Sequence, residues 1–445
     1  MTAARSPNGA VPAESVYSAV PGGGITLPPY YRPTDSVNNK TIYYPTAEEL
    51  GSDEMRVSFL GSTPWPPRRD QAGTCIMVEL GNGKRFFFDF GPGCLRNIIA
   101  MQVPPSMIND IFISHLHVDH YHDLSYLYAF APAMGARWKP LRVTGPSGRT
   151  PQDGTRHMIE HMKQMAHWHT DSFNSWPVGD GYDVEVNEFD YQDDNGICYD
   201  EDGVTIRHWR RSHTKDGASA YRLDWNGLSF VWTGDGRPDE LTAEFARGAD
   251  VFVTEVQADL GALQQLKMGI PAVVVNYTID KSHTVHYAAG YLMNQVKPRV
   301  AMLTHMEYDE DLIPEMMAGI RVHYKGFVQI GAPDVVVVNV QKDAIWTRKA
   351  AIAGAPNQAA PSKAEAKDLF GISPMHLDIT FPDPRPTVDD VQEQFVRDKE
   401  IDPDLYYPAD VNRGLVANLP KPFKISIPKM IAQKAGEKIR EKLGR

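Results

Sequence analysis

The chain has 445 residues, 42% hydrophobic and 23% charged, which suits one large soluble domain with extensions or two to three smaller ones. No apolar run reaches the ~20 residues of a membrane-spanning helix, and no apolar signal segment opens the chain, so a cytoplasmic location is expected unless a leader was removed before this numbering. Its three cysteines, Cys75, Cys94 and Cys198, are too few for a disulfide framework, and a net charge of −11 weighs against an extended nucleic-acid surface, which needs clustered Lys and Arg.

Residues 1–54 are rich in Pro, Gly, Ser, Thr and Tyr and read as an extended arm that Tyr30, Tyr31, Tyr43 and Tyr44 could anchor on a neighbour. Alternation then predicts a strand over 55–61 and a hairpin, 74–80 with 85–90, closed by Gly81-Asn-Gly-Lys84. A helix over 95–101 precedes a strand over 110–114, a helix over 121–133, a strand over 141–144 and a helix over 155–168. Strands follow near 204–209, 220–224 and 228–232. A helix near 239–247, a strand over 250–254, a helix near 284–296 and strands over 300–304 and 334–339 complete the order. Early meanders followed by alternating strands and helices imply a layered α/β sandwich. The domain is expected over 55–345. A Pro- and Ala-rich extension occupies 346–445 and ends in a basic stretch with Ile427, Ile431, Ala435, Ile439 and Leu443 on one helical stripe. Such arms suggest a homo-oligomer wrapped by its termini.

The densest chemistry is Ser114-His-Leu-His-Val-Asp-His120, directly after a buried strand. Three imidazoles and a carboxylate within six positions suit zinc or a similar borderline metal. His157 and His161, at i and i+4 in the helix over 155–168, could bind a second metal, but their stripe with Met158, Met162, Met165 and Trp168 reads as packing or pocket wall.

The His-x-His-x-Asp-His motif resembles the signature of the metallo-β-lactamase fold superfamily, and within it the ribonuclease Z and arylsulfatase-like branch. Gly61-Ser-Thr63, Phe88-Asp-Phe-Gly91, Gly145-Pro-Ser-Gly148 and Gly154-Thr-Arg156 extend the likeness, which spans about 55–345. It implies a four-layer αββα sandwich and two adjacent metals. His115, His117 and a third His would hold one; Asp119, His120 and His305 would hold the other, with Asp235 bridging. His208 and His213 both suit the third position, and the Tyr-Arg-Leu strand after His213 favours it. Asp235 and His305 each end a buried strand, where an unpaired polar group would be costly. Zinc is the default metal, with manganese or iron compatible.

The unaltered motif points to hydrolysis rather than redox chemistry. A metal-activated water oriented by Asp119 and Asp235 would attack, and His283, supported by Glu255, would protonate the leaving group; His286 is the alternative donor. The chain lacks the Gly/Pro- and Lys-rich arm of ribonuclease Z. A small-molecule substrate (aryl sulfate, ester, lactone or haloaromatic) is therefore expected, with Trp65, Trp168, Trp176 and Tyr277 as pocket walls. A phosphodiesterase or ribonuclease Z-like nuclease is the alternative, and a non-catalytic metal-bearing scaffold a further one.

Overall fold

The computed structural model describes residues 42–352, apart from 47, 66, 67, 174, 259–270, 309, 311 and 334, together with two paired two-residue strands, β1 (Ser18–Ala19) and β2 (Ile25–Thr26). The rest of the terminal arms, including Tyr30, Tyr31 and the apolar stripe from Ile427 to Leu443, lies outside the described residues. The described residues up to Asp171 and from Asp180 onward belong to one compact unit, which does not include Ser172–Gly179.

The first half of that unit contains β3 (Ile42–Tyr43), β4 (Met55–Gly61), β5 (Cys75–Leu80), β6 (Arg85–Phe88), α1 (Cys94–Ala100), β7 (Asp110–Phe112), α2 (His122–Met134), β8 (Leu141–Pro146), α3 (Thr155–Met165), α4 (His167–Ser172) and β9 (Val184–Phe189). The second contains β10 (Gly196–Glu201), β11 (Val204–Arg210), β12 (Ser219–Trp225), β13 (Leu228–Trp232), α5 (Glu240–Phe245), β14 (Val251–Glu255), α6 (Ala272–Ser282), α7 (His286–Val296), β15 (Val300–Thr304), α8 (Ile313–His323), β16 (Val328–Ile330), β17 (Val336–Val340) and β18 (Ile345–Ala350). Sheet one runs β3-β18-β17-β4-β5-β6-β7-β8-β9, and sheet two runs β10-β11-β12-β13-β14-β15-β16.

The side-chain alternation of single strands builds the layers. Phe86 and Phe88 enter the core between the sheets while Phe87 faces the helices of sheet one. Phe230 and Trp232 enter the same central core, and Val231 faces the helices of sheet two. Both faces of the central strands are therefore covered, which is why β5, β13, β14 and β15 are buried along their whole length. The result is the expected four-layer αββα sandwich. Among the described residues no helix is long and apolar enough to cross a membrane.

The structure also contains strands that the sequence pattern did not announce. Tyr43 is buried, with the guanidinium groups of Arg56 and Arg348 4.6 and 5.0 Å from its ring centroid, and its strand pairs with β18. Strand β9 alternates in composition and burial but is only partly buried, and β10 has no regular alternation, with Cys198 and Tyr199 buried side by side.

The central strands β6 and β7 of sheet one run parallel, as do β13, β14 and β15 of sheet two. Parallel strands share one edge for their C-terminal ends, so Asp89, His115, Asp235, Glu255 and His305 all emerge at strand ends. Tight crossings hold these ends together. A Cβ on Gly91 would lie 2.2 Å from Asp119 O, and one on Gly234, at φ 58°, would lie 2.9 Å from Ser114 Cβ. Ser219 N donates to Ser114 O at 2.9 Å, linking the two sheets beside the histidine loop.

Candidate metal centre

Two groups of ligand-type atoms converge at this edge. In the first, His117 Nδ1 lies 3.0 Å from His115 Nε2 and 3.1 Å from His213 Nε2. In the second, His305 Nε2 lies 3.2 Å from both His120 Nε2 and Asp119 Oδ2. Asp235 Oδ2 stands between them, 3.8 Å from His115 Nε2 and 3.4 Å from His120 Nε2. Its other oxygen, Oδ1, is buried without a hydrogen-bond partner. Ring nitrogens facing one another across 3 Å, beside an orphaned carboxylate oxygen, are a donor set that could hold a cation. The same residues, with Glu255 and His283 as further members beside Asp235 and His305, form the groups that could hold a metal ion among the described residues.

The second nitrogen of four of the five rings is held from behind, while His305 Nδ1 lies 3.5 Å from Glu255 Oε2. His120 Nδ1 donates to Asp89 Oδ2 at 2.8 Å and His213 Nδ1 to Ser282 O at 2.5 Å. His115 Nδ1 meets Ser114 Oγ at 3.1 Å, and His117 Nε2 meets Thr214 Oγ1 at 3.3 Å. Such partners fix ring orientation and leave the inward nitrogen as an acceptor. Asp89 also accepts from Ser114 N at 2.7 Å and Trp232 Nε1 at 2.8 Å.

Burial, reinforced by neighbouring imidazoles, holds His115 well below the usual histidine range, and burial lowers His117 and His213. These three rings are therefore neutral, the form that binds a metal. Burial also opposes charge on His305, yet Asp235, Asp119 and Glu255 carry it up to about 10. Asp235 and Asp119 are held low against their burial, by His305 and His120 for Asp235 and by His120 and His305 for Asp119. His120 is raised in the same way against its burial, by Asp235, Asp89 and Asp119.

His283 stands at the C-terminal end of α6, its Nδ1 2.6 Å from Glu255 Oε2 and 4.0 Å from Asp235 Oδ2. Glu255 is fully buried, and its other oxygen accepts from Gly236 N at 2.6 Å. Burial works against charge on His283, but Glu255 raises its pKa above the ordinary value. His286, the alternative donor, is buried where a Cβ on Gly319 would lie 1.9 Å from its ring. His208, the alternative third histidine, lies within β11 with its ring stacked on Phe189 at 3.6 Å. His157 and His161 have ring centroids 4.1 Å apart, tilted by 48°, but join none of the possible metal groups among the described residues.

The four aromatic residues expected as pocket walls are not enclosed. Trp65, Trp168 and Tyr277 are 77%, 82% and 64% exposed, and Trp176 is exposed as well. A surface groove of about 550 Å³ between α1 and α2 is lined by Leu95, Ile99, Tyr126, Phe130 and Met134 and contains none of them. Ser282, Thr214 and Trp232 were not singled out from the sequence, and Asp89 was noted only within Phe88-Asp-Phe-Gly91, with no role. Asp89 carried a usable signal, since it follows an almost fully buried strand just as Asp235 does.

The metallo-beta-lactamase superfamily model matches residues 68–134. A ribonuclease Z of Mycobacterium avium is 30% identical over 278 residues, covering 60% of this chain and 88% of that protein. A ribonuclease Z of Mycobacterium marinum is 28% identical over 219 residues, covering 46% and 72%. A solved metallo-beta-lactamase fold protein from Bacillus subtilis aligns with a TM-score of 0.48 and 16% identity, over 66% of this chain and all of that one. The ribonuclease relatives correct the expectation of a small-molecule substrate without a nucleic-acid partner. That expectation treated net charge as a guide to the field at the site, whereas a total charge of −11 does not set the local potential.

Proposed function

Since the chain belongs to the ribonuclease Z branch of the metallo-β-lactamase superfamily of hydrolases, we propose that it is a metal-dependent ribonuclease that cleaves a phosphodiester with water. The convergence of two donor groups on Asp235, with the His283–Glu255 pair beside them, carries this reading. His115, His117 and His213 would hold one metal, Asp119, His120 and His305 the second, with Asp235 shared. Zinc suits this nitrogen- and oxygen-rich set, and manganese or iron is compatible with it. Divalent metals bound here would acidify water and offset charge developing on the phosphate.

The chain's own residues supply the rest. Asp119 and Asp235 accept hydrogen bonds from the attacking water and orient it. His283, kept protonated by Glu255, donates its Nε2 proton to the leaving oxygen. The buried strand ends keep these groups in place before substrate arrives, which limits reorganisation during the reaction.

The test measures metal content together with cleavage of a 3′-extended precursor RNA. About two metals per chain, cleavage abolished by a chelator and cleavage restored by added metal are expected. Full cleavage by metal-free protein would sink the mechanism.

A further inference from the structure

The acidic total hides a cationic rim along one side of the site. Three loops that carry site residues are laced together. His213 Nδ1 donates to Ser282 O at 2.5 Å, Thr284 Oγ1 to Gly236 O at 2.7 Å, and Arg237 N to Ser212 O at 2.8 Å. Each loop places a cation two positions from a site residue: Lys215 after His213, Arg237 after Asp235 and Lys281 before His283. Lys215 is paired with Asp153 at 2.5 Å. Arg237 and Lys281 are exposed, and neither forms an ion pair with a described residue; Asp280, next to Lys281, pairs with neither.

Helix α6 adds an aromatic surface to this rim. Val273, Tyr277 and Lys281 recur at four-residue spacing along one helix face, and Val273 and Tyr277 are 75% and 64% exposed. Lys281 Nζ lies 5.5 Å from the Tyr277 ring centroid. The helix is fixed relative to the site, because its last residue, Ser282, accepts the hydrogen bond from His213. A flat aromatic ring left open to solvent, with two cations that pair with no described carboxylate beside a phosphodiester site, matches an unpaired polynucleotide strand. Every base presents a face that can stack, and every linkage presents a charge. A purely apolar partner would leave both cations unused.

We propose that Tyr277, Lys281 and Arg237 bind the single-stranded RNA that flanks the cleaved phosphodiester. Tyr277 stacks on one unpaired base, and Lys281 and Arg237 meet phosphates of the same strand. This assignment rests on the ribonuclease reading and adds to it the residues that grip the strand.

Two measurements on the full-length protein test it. A labelled single-stranded oligouridylate is titrated in chelator, which prevents cleavage, over a range of salt concentrations. Steady-state cleavage of a 3′-extended RNA is then followed with metal. All three side chains are exposed, so their substitution leaves the fold intact. For the pair Arg237→Ala and Lys281→Ala, the slope of log affinity against log salt should shrink by roughly 1.4, about 0.7 per lost phosphate contact. Tyr277→Ala should weaken binding on the order of tenfold and raise KM with kcat nearly constant, and Tyr277→Phe should restore both. Unchanged affinity and salt slope in these variants, with a wild-type protein that cleaves RNA, would overturn the rim and leave the ribonuclease reading standing. A metal-loaded wild-type protein that cleaves no RNA would overturn both.

Discussion

Trp232 Nε1 donates to Asp89 Oδ2 at 2.8 Å, and the same oxygen accepts the Nδ1 proton of His120 at 2.8 Å. Trp232 ends β13 of sheet two, and Asp89 follows β6 of sheet one, so one hydrogen bond joins the sheets directly behind a candidate ligand. Asp89 adopts a left-handed φ of 59°, which turns the chain where the strand ends.

Trp232→Phe keeps most of the buried ring volume and removes that donor. A stability loss of about 1.5–3 kcal/mol is expected, typical of a buried hydrogen bond to a charged group. Metal affinity should fall by less than the roughly 10- to 100-fold typical of losing a ligand's direct partner, because Asp89, still held by Ser114, keeps its bond to His120. Urea melts and competitive metal titration measure the two effects separately. An unchanged metal affinity would count against the coupling.

His117→Ala deletes the ring that meets both His115 and His213 within 3.1 Å. Metal content should drop by about one ion per chain, and RNA cleavage should be lost with it. Metal analysis after dialysis checks this, and a fully loaded variant would remove His117 from the ligand set.

His283→Ala should spare the metals and lower kcat by about 10²- to 10⁴-fold, the usual contribution of a positioned acid. Glu255→Gln should act in the same direction, because it leaves Nδ1 of His283 facing a neutral amide in place of a buried carboxylate. Single-turnover cleavage with metal content measured in parallel separates this effect from ligand loss.

Burial holds His208 down to about 4, against the pull of Asp193, Asp194 and Asp190. The unfolded chain takes up this proton near pH 6.5. Between pH 6.5 and 4 the unfolded state therefore binds more protons than the folded state. The stabilising contribution is complete above pH 6.5 and declines as pH falls toward 4, by at most about 1.4 kcal/mol per pH unit. His208→Gln should flatten this part of the stability curve, and urea midpoints at pH 7 and pH 5 for both proteins would show it. Parallel curves would assign the acid sensitivity to other groups.

Local order in the sequence carried much of the fold and the candidate site. Phe86, Phe87 and Phe88 alternate between two cores, and the buried stretches before His115, Asp235 and His305 mark strand ends whatever packs around them. A parallel strand can leave its sheet only at its end, so a polar residue placed there is aimed at a shared edge. Such relations depend on neighbours along the chain, and periodicity reports them.

Other features depend on groups that meet only after folding. His120 and His305 come within 3.2 Å although 185 positions separate them. The hydrogen bond from His213 to Ser282, the grip of Trp232 on Asp89 and the exposure of Tyr277 likewise have no local signature. The placing of the two candidate third histidines belongs to both levels: the Tyr-Arg-Leu strand favoured His213, which folding brings beside His117, while His208 is buried beside Phe189. Charge shows the contrast most sharply. A net charge of −11 is a sum over 445 residues, while a substrate meets the field of the few side chains at the rim. Composition determined the sum, and only the tertiary structure decided that Arg237 and Lys281 stand beside the site without a carboxylate partner among the described residues.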